Sequence, residues 1–295
     1  MNTSITDEQR KQLVREKYGE IADQEREQNA SSCCGSGCCS SIDVAILAED
    51  YSPLEGYNPE ADLGLGCGLP TEFALIKKGD TVIDLGSGAG NDCFVARSLA
   101  GETGKVIGVD FTERMIEKAR KNAEKLQYNN IEFRQGDIED LPVSDDTADV
   151  VVSNCVLNLV PNKRQAFAET YRVLKPGAHF SVSDIVLEGD LPEALREAAE
   201  MYVGCISGAV QKKEYIHMIE ATGFTNVRIL KEKAVTIPDD ILATHLTDSA
   251  LNAYKESGTA IFSITVYGEK PGEKSIKNTN KTAKEACCEP GCCGN

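Results

Sequence analysis

The chain has 295 residues and a formal net charge of −16. That length suits one large domain, or one core with a smaller second unit, and the acidity argues against a nucleic-acid partner, which needs a basic stripe. No apolar run approaches the roughly 20 residues of a membrane span, and the opening MNTSITDEQRKQLVREK has no apolar signal core, so no membrane partner and a cytoplasmic location are expected.

Residues 6–28 read as an amphipathic helix. Thr6 and Gln9 have capping-box spacing, and Val14, Tyr18 and Ile21 share one face. The loop SSCCGSGCCSS follows, with Cys33, Cys34, Cys38 and Cys39. Residues 42–70 look irregular and end in DLGLGCGLP, where glycines flank Cys67 and predict a tight loop.

From residue 80 strands and helices alternate. TVIDL is a buried strand, GSGAG a turn and NDCFVARSLA a helix. KVIGVD is a strand, TERMIEKARKNAEKL a helix, IEFRQGDIE and ADVVVSN strands, NKRQAFAETYRVL a helix, and KPGAHFSVSDIV a turn and strand. This alternation predicts a parallel sheet with helices on both faces. After 190, PEALREAAEMYVGCI and KKEYIHMIEATGF read as helices, the second closed by Gly223. NVRILKEKAVTI and AIFSITVYGEK read as strands, and the tail from 271 is polar and turn-rich. The expected units are 1–69 (helix and cysteine loop), 70–190 (core), 191–270 (a smaller α+β segment) and 271–295 (a flexible tail).

VIDLGSGAGN carries the first chemistry. Strand, glycine turn and helix form a nucleotide-like site at the carboxyl ends of parallel strands. A dinucleotide fingerprint wants Gly or Ala where Asn91 stands, and Asp84 before the turn suits a positively charged ligand better than a pyrophosphate. Both features argue against NAD. Together VIDLGSGAG, GVDFTERMIEKAR, GDIEDLP, DVVVSNCVLNLV and YRVLKPGA resemble the class I S-adenosylmethionine-dependent methyltransferases, over residues 70–190. The resemblance implies a Rossmann-like fold: a seven-stranded, mostly parallel sheet with its last strand antiparallel. It also implies roles. Gly86, Ser87 and Gly88 would let the backbone approach the cofactor's methionine portion, and Asp84 would lie near its amino group. Asp110 would accept the ribose hydroxyls, with Phe111 beside it. Asp137 and Ile138 would hold the adenine, and Asn154 would face the reactive end.

Twelve cysteines stand out in a chain with three His and no Trp. In a cytosolic protein of this length they point to metal binding or redox chemistry. Cysteine on a strand is most often a small inert hydrophobe, and Cys93, on the helix after the glycine turn, is read that way. Cys155 differs, because it falls at a strand's carboxyl end, where ligands bind. Cys67 lies among glycines, and Cys205 in GCISGA ends a predicted helix.

GLGCGLP, VVSNCVLNLVP and GCISGA, with the upstream cysteine loop, resemble the arsenite methyltransferases, from about residue 10 to 268. By that resemblance Cys67, Cys155 and Cys205 would hold trivalent arsenic, delivered as arsenite or its thiol conjugates. Cys38 or Cys39 would be a fourth working thiol, paired with Cys67 in redox steps. In many relatives a tyrosine precedes the loop cysteine's glycine; here Leu65 and Gly66 stand there.

Thiolates select soft centres. Trivalent arsenic held by thiolates keeps a lone pair that can attack a sulfonium methyl with no general base. Two thiols can then return two electrons as a disulfide, which thioredoxin or glutathione would reopen. Cys33, Cys34, Cys38 and Cys39 share a CC-x3-CC pattern with Cys287, Cys288, Cys292 and Cys293. Neither has zinc-ribbon spacing, and arsenite capture is the expectation for the C-terminal cluster. Two other readings compete. A carbon or oxygen methyltransferase of ubiquinone-biosynthesis type leaves the cysteines unexplained. A non-catalytic metalloid- or zinc-sequestering protein has no need of Asp84, Gly86, Gly88, Asp110 and Asp137.

Overall fold

The structure is a computed structural model, and it describes residues 6–23, 47, 49–198, 205–206 and 208–272. Cys33, Cys34, Cys38, Cys39, Cys287, Cys288, Cys292 and Cys293 lie outside the described residues, as do residues 24–28 of the first predicted helix.

Helix α1 spans Asp7–Ala22 and opens with the expected capping box. The Gln9 N–H donates to Thr6 Oγ1 at 3.2 Å, and the Thr6 N–H donates to Gln9 Oε1 at 2.8 Å. After the short helix α2 (Pro70–Phe73), the alternation read from the sequence appears: β1 (Thr81–Leu85), α3 (Asn91–Ala100), β2 (Lys105–Asp110), α4 (Glu113–Lys125), β3 (Ile131–Gln135), β4 (Ala148–Asn154), α5 (Lys163–Val173) and β5 (Leu174–Glu188). The segment after 190 contributes α6 (Glu193–Glu197), α7 (Lys212–Thr222), β6 (Thr225–Val235), α8 (Asp239–His245), α9 (Asp248–Glu256) and β7 (Ala260–Glu269).

All seven strands join one sheet in the order β3-β2-β1-β4-β5-β7-β6. The pairs among β1 to β5 are parallel, and β7 runs antiparallel to both β5 and β6. β1 and β4 sit at the centre and are almost wholly buried, as strands covered on both faces must be. Chain order reverses between β1 and β4, the crevice where open α/β sheets bind ligands.

Two sequence expectations need correction. The helix expected over 192–206 breaks early. Ala198 leaves the helical conformation with ψ 120°, so α6 is a single short turn. Residues 199–204 of that expected helix lie outside the described residues, and Cys205 holds a left-handed φ of 64°. Helices α8 and α9 were not expected at all. Their signals are modest: Pro238 before two aspartates, and Thr247, whose side chain caps the Ala250 N–H. Gly223 does close α7 in the left-handed conformation, φ 110°, as its position predicts.

Candidate active site

The crevice holds an open cavity. Every residue assigned to the cofactor by resemblance lines it: Asp84, Gly86, Ser87, Gly88, Asp110, Phe111, Asp137, Ile138 and Asn154. The turn after β1 is folded back by two N–H groups, from Gly86 and Ser87, that donate to the Val109 carbonyl at 2.7 and 3.0 Å. Gly86 has φ 68°, and a Cβ there would stand 2.4 Å from a Val156 methyl, so both the turn and its packing require glycine. A Cβ on Gly88 would project into open space, which leaves that backbone free for approach by a ligand.

The carboxylates are buried. Asp110 closes β2, with Oδ2 accepting from the Gly88 N–H (3.0 Å) and Oδ1 from the Thr112 N–H (2.8 Å). Each oxygen keeps a lone pair for a hydroxyl donor. Burial holds Asp84 well above the usual carboxylate range, and the neighbouring Asp92 pushes the same way. A cation entering this end would relieve both. Cys93, expected to be inert packing, is fully buried, yet its Sγ donates to Asp84 Oδ2 at 3.2 Å. It therefore fixes the orientation of that carboxylate. Asp137 is gripped by Lys11 of α1 at 2.6 Å, and the Arg15 guanidinium lies 5.3 Å from the centre of the Phe111 ring. Helix α1 thus covers this end of the cavity.

The donor set fits S-adenosylmethionine. The cavity has an acidic end for an ammonium and a sulfonium, a two-oxygen acceptor for a diol, and an apolar wall of Phe111 and Ile138 for a planar base. Ser87 Oγ and Asn91 Oδ1 are buried on its lining without a hydrogen-bond partner, as atoms awaiting a polar ligand would be.

Beside this cavity the fold gathers three thiols from distant segments. Cys67 comes from the loop before α2, Cys155 directly follows β4, and Cys205 lies after α6. All three are buried and free, at 1–3% exposure. Cys155 sits at φ 61°, a left-handed turn off the strand end, and its N–H donates to the Ser183 carbonyl at 2.8 Å. That turn aims the residue into the cavity lining instead of continuing the sheet. Cys205 Sγ donates to the Cys155 carbonyl at 2.9 Å, and the Cys67 and Cys155 sulfurs lie within 4.8 Å of each other. Burial pushes Cys67 up, and it pushes Cys155 well up, with the neighbouring Cys205 and Cys67 adding to the effect. The thiols are surrounded by Val14, Leu159, Ile185, Leu195, Ile237 and Leu242. The unexpected helix α8 therefore supplies part of the wall.

Four functional candidates escaped the sequence reading. Asp184 of β5 is fully buried, and its carboxylate, Cys67 Sγ and Cys155 Sγ lie within 4.8 Å of one another. Burial pushes its pKa up to about 7, against hydrogen bonds from the Ile185 N–H and the Tyr215 hydroxyl. The signal was an acidic residue inside the apolar strand FSVSDIV. Tyr18, read only as part of a helix's apolar face, lines the cavity and hydrogen-bonds Cys205. Tyr51 and Asp92 pair beneath the cavity, the hydroxyl donating to Oδ2 at 2.8 Å. Burial raises Asp92 to about 6, although the bonds from Tyr51 and Asn154 pull it down.

Comparison with known proteins agrees with this geometry. Residues 76–223 match the model of a methyltransferase domain family. The chain is 39% identical over 277 residues to an arsenite methyltransferase of Halobacterium salinarum, covering 90% of this chain and 67% of that protein. The chain belongs to the arsenite methyltransferase family. The human arsenite methyltransferase is 38% identical over 62% of this chain and 51% of its own length, so the chain spans about half of that relative. Among solved structures, an arsenic(III) S-adenosylmethionine methyltransferase from Chlamydomonas reinhardtii superposes with a TM-score of 0.60 at 33% identity, covering 70% of this chain and 68% of that one. The fold is the Rossmann-like class I methyltransferase fold of this family, and the chain is an S-adenosylmethionine-dependent transferase. No helix among the described residues is long and apolar enough to cross a membrane.

Proposed function

We propose that the chain transfers methyl groups from S-adenosylmethionine to trivalent arsenic held by Cys67, Cys155 and Cys205, giving mono- and dimethylated arsenicals in arsenic detoxification. The observation that carries this reading is the clustering of buried Cys67 and Cys205 about Cys155, which itself lines the cavity with Asp84, Asp110 and Asn154. A carbon or oxygen methyltransferase would have no use for that cluster. A sequestering protein would have no use for the cavity.

Capture is balanced without an external base. Arsenous acid and three thiols give a tris-thiolate arsenic centre and three waters, each thiol proton leaving on a hydroxide. Buried, protonated thiols are therefore a suitable resting state. The bound cofactor supplies an electrophilic sulfonium methyl. The chain's part is to hold the arsenic lone pair in line with it and to keep water out, by the apolar walls from α1, β5 and α8. Methyl transfer takes arsenic formally to the pentavalent state. Two thiolates restore the trivalent state by forming a disulfide, and an external dithiol or glutathione reopens it. Thioredoxin or the glutathione system is the natural partner, and a reducing compartment such as the cytoplasm suits four free buried thiols.

Within this scheme Cys38 or Cys39 serves as the fourth working thiol, and the cluster of Cys287, Cys288, Cys292 and Cys293 captures arsenite. Residues 1–69 and 191–270 build the arsenic side around the 70–190 cofactor core. The test is direct: purified protein, arsenite, glutathione and S-adenosylmethionine labelled in its methyl group, followed by separation of the arsenic species. Labelled methylarsenicals are expected. Their absence, with both ligands shown to bind, would turn the reading to a metalloid-binding protein.

A further inference from the structure

Cys67 does not line the cavity; the residues just before it, Leu65 and Gly66, do. Its position is nevertheless set by a residue that does. The N–H groups of Cys67 and Gly68 both donate to Asn154 Oδ1, at 3.0 and 3.2 Å, and the Gly68 carbonyl accepts from Asn154 Nδ2 at 2.8 Å. One carboxamide therefore satisfies three backbone groups of the loop. The contact has no slack, because a Cβ on Gly66 would stand 2.5 Å from Asn154 Nδ2. From the loop the chain of hydrogen bonds continues under the cavity. Asn154 Nδ2 donates to the Tyr51 hydroxyl at 2.5 Å and lies 3.2 Å from Asp92 Oδ2, and Tyr51 donates to Asp92 at 2.8 Å. Tyr51, Asp92 and Asn154 all line the cavity, beside Asp84.

We propose that Asn154 is a positioning residue that couples the two sites, so that the Cys67 loop is ordered for arsenic capture when the cofactor pocket is filled. The physical route is the carboxylate end. A cationic group beside Asp84 and Asp92 compensates two crowded buried carboxylates. An ionised Asp92 held in place is a stronger acceptor for Tyr51 and Asn154, and a fixed Asn154 holds the loop that carries Cys67. By linkage the effect is reciprocal: an ordered loop favours the cofactor by the same factor. The meaning of the coupling for catalysis rests on Cys67 being an arsenic ligand; the coupling itself does not.

The test reads Cys67 directly. Cys67 is buried, so its alkylation reports local opening of the loop. The full chain is pulsed with iodoacetamide with and without saturating S-adenosylhomocysteine, and each cysteine is quantified by peptide mass spectrometry against a fully denatured, fully alkylated aliquot. In the wild type the cofactor product should slow Cys67 alkylation about tenfold, within the 5- to 150-fold range usual for coupled sites. Asn154→Ala should raise the basal rate and bring the ratio with and without ligand close to one. Tyr51→Phe, which removes only the bridging hydroxyl, should reduce the ratio while calorimetry still shows ligand binding, and it decides the matter if Asn154→Ala no longer binds. A wild-type ratio near one, or an unchanged ratio in Tyr51→Phe, overturns the proposal. The same pulse with arsenite in place of the cofactor product should protect Cys67, Cys155 and Cys205 together. Failure there overturns the arsenic-ligand reading and leaves the coupling result standing.

Discussion

The two halves of the site are built by opposite means. On the cofactor side, Asp84, Gly86, Ser87, Gly88, Asp110, Asp137 and Ile138 come from consecutive strand ends within 55 residues of chain, and much of the hydrogen bonding is to backbone. On the thiol side, Cys67, Cys155 and Cys205 come from three segments far apart in sequence, and two of the three sit at left-handed backbone positions. The first half follows from a local motif repeated along a parallel sheet. The second exists only when the sheet is complete, because β5 and β7 hold the loop of Cys67. The Ser263 hydroxyl donates to the Cys67 carbonyl at 2.5 Å, and Ser183 stands where a side chain on Gly68 would have to go. Ligand contacts in the first half should therefore fail one at a time, and those in the second half together.

Cys155→Ser should break that comparison most sharply. A hydroxyl is a hard donor and a poor ligand for arsenic, so methylation should fall at least ~100-fold while calorimetric binding of S-adenosylhomocysteine stays within about twofold of the wild type. Equal loss of both would mean that the thiol supports the fold and not the chemistry. Asp110→Ala tests the other half. It removes an acceptor for two hydroxyls and strands the Gly88 and Thr112 N–H groups, so cofactor affinity should drop on the order of 10- to 100-fold. Native mass spectrometry should still detect the three-thiol arsenic adduct.

Asp184→Asn probes the seam between the halves through stability. The folded-state pKa of Asp184 is raised to about 7 by burial, against an unfolded value near 4. Its protonated form is therefore the one the fold prefers. The associated stability is fully present below pH ~4 and is lost as pH rises through about 7. Denaturant unfolding of the wild type should show this decline, worth roughly 1–4 kcal/mol, and Asp184→Asn should flatten it. An unchanged slope in the variant would assign the decline to other groups, Asp84 and Asp92 foremost. The smallest effect is expected from Lys11→Ala. The Lys11 pairs with Asp137 and Glu139 are partly exposed, and such pairs contribute about 0–1 kcal/mol. Cofactor affinity should weaken by no more than about fivefold at low salt, and the difference should vanish in high salt.

The family's outline was plain in the sequence for a physical reason. Glycine at Gly86 is demanded by a positive φ and by a Val156 methyl, and the acidic residues Asp84 and Asp110 stand at the carboxyl ends of β1 and β2 on the cavity lining. Such requirements are local, so they leave local marks. Cys93 was legible only in part: its burial was readable, its bond to Asp84 was not. Helices α8 and α9 were missed because their stability comes from packing under the sheet's β6–β7 end. Of their residues only Leu242 is buried with the thiol cluster, and Ile241, Ala250, Leu251 and Tyr254 are partly buried against it.

The sequence by itself determined the strand–helix alternation, the glycine turn, the position of each acidic strand end and the presence of three thiols in unusual settings. Those are properties of periodicity, turn chemistry and residue type, which neighbours in the chain impose. Only the tertiary structure decided that Cys67 and Cys155 meet beside Asp184, that Cys205 bonds the Cys155 carbonyl, and that Asn154 holds the loop of Cys67 while facing the cofactor cavity. Each is a contact between residues 29 to 117 positions apart in the chain. The pairing of β4 with β5 and of β5 with β7 brings such segments together, and no local pattern encodes the distance between them.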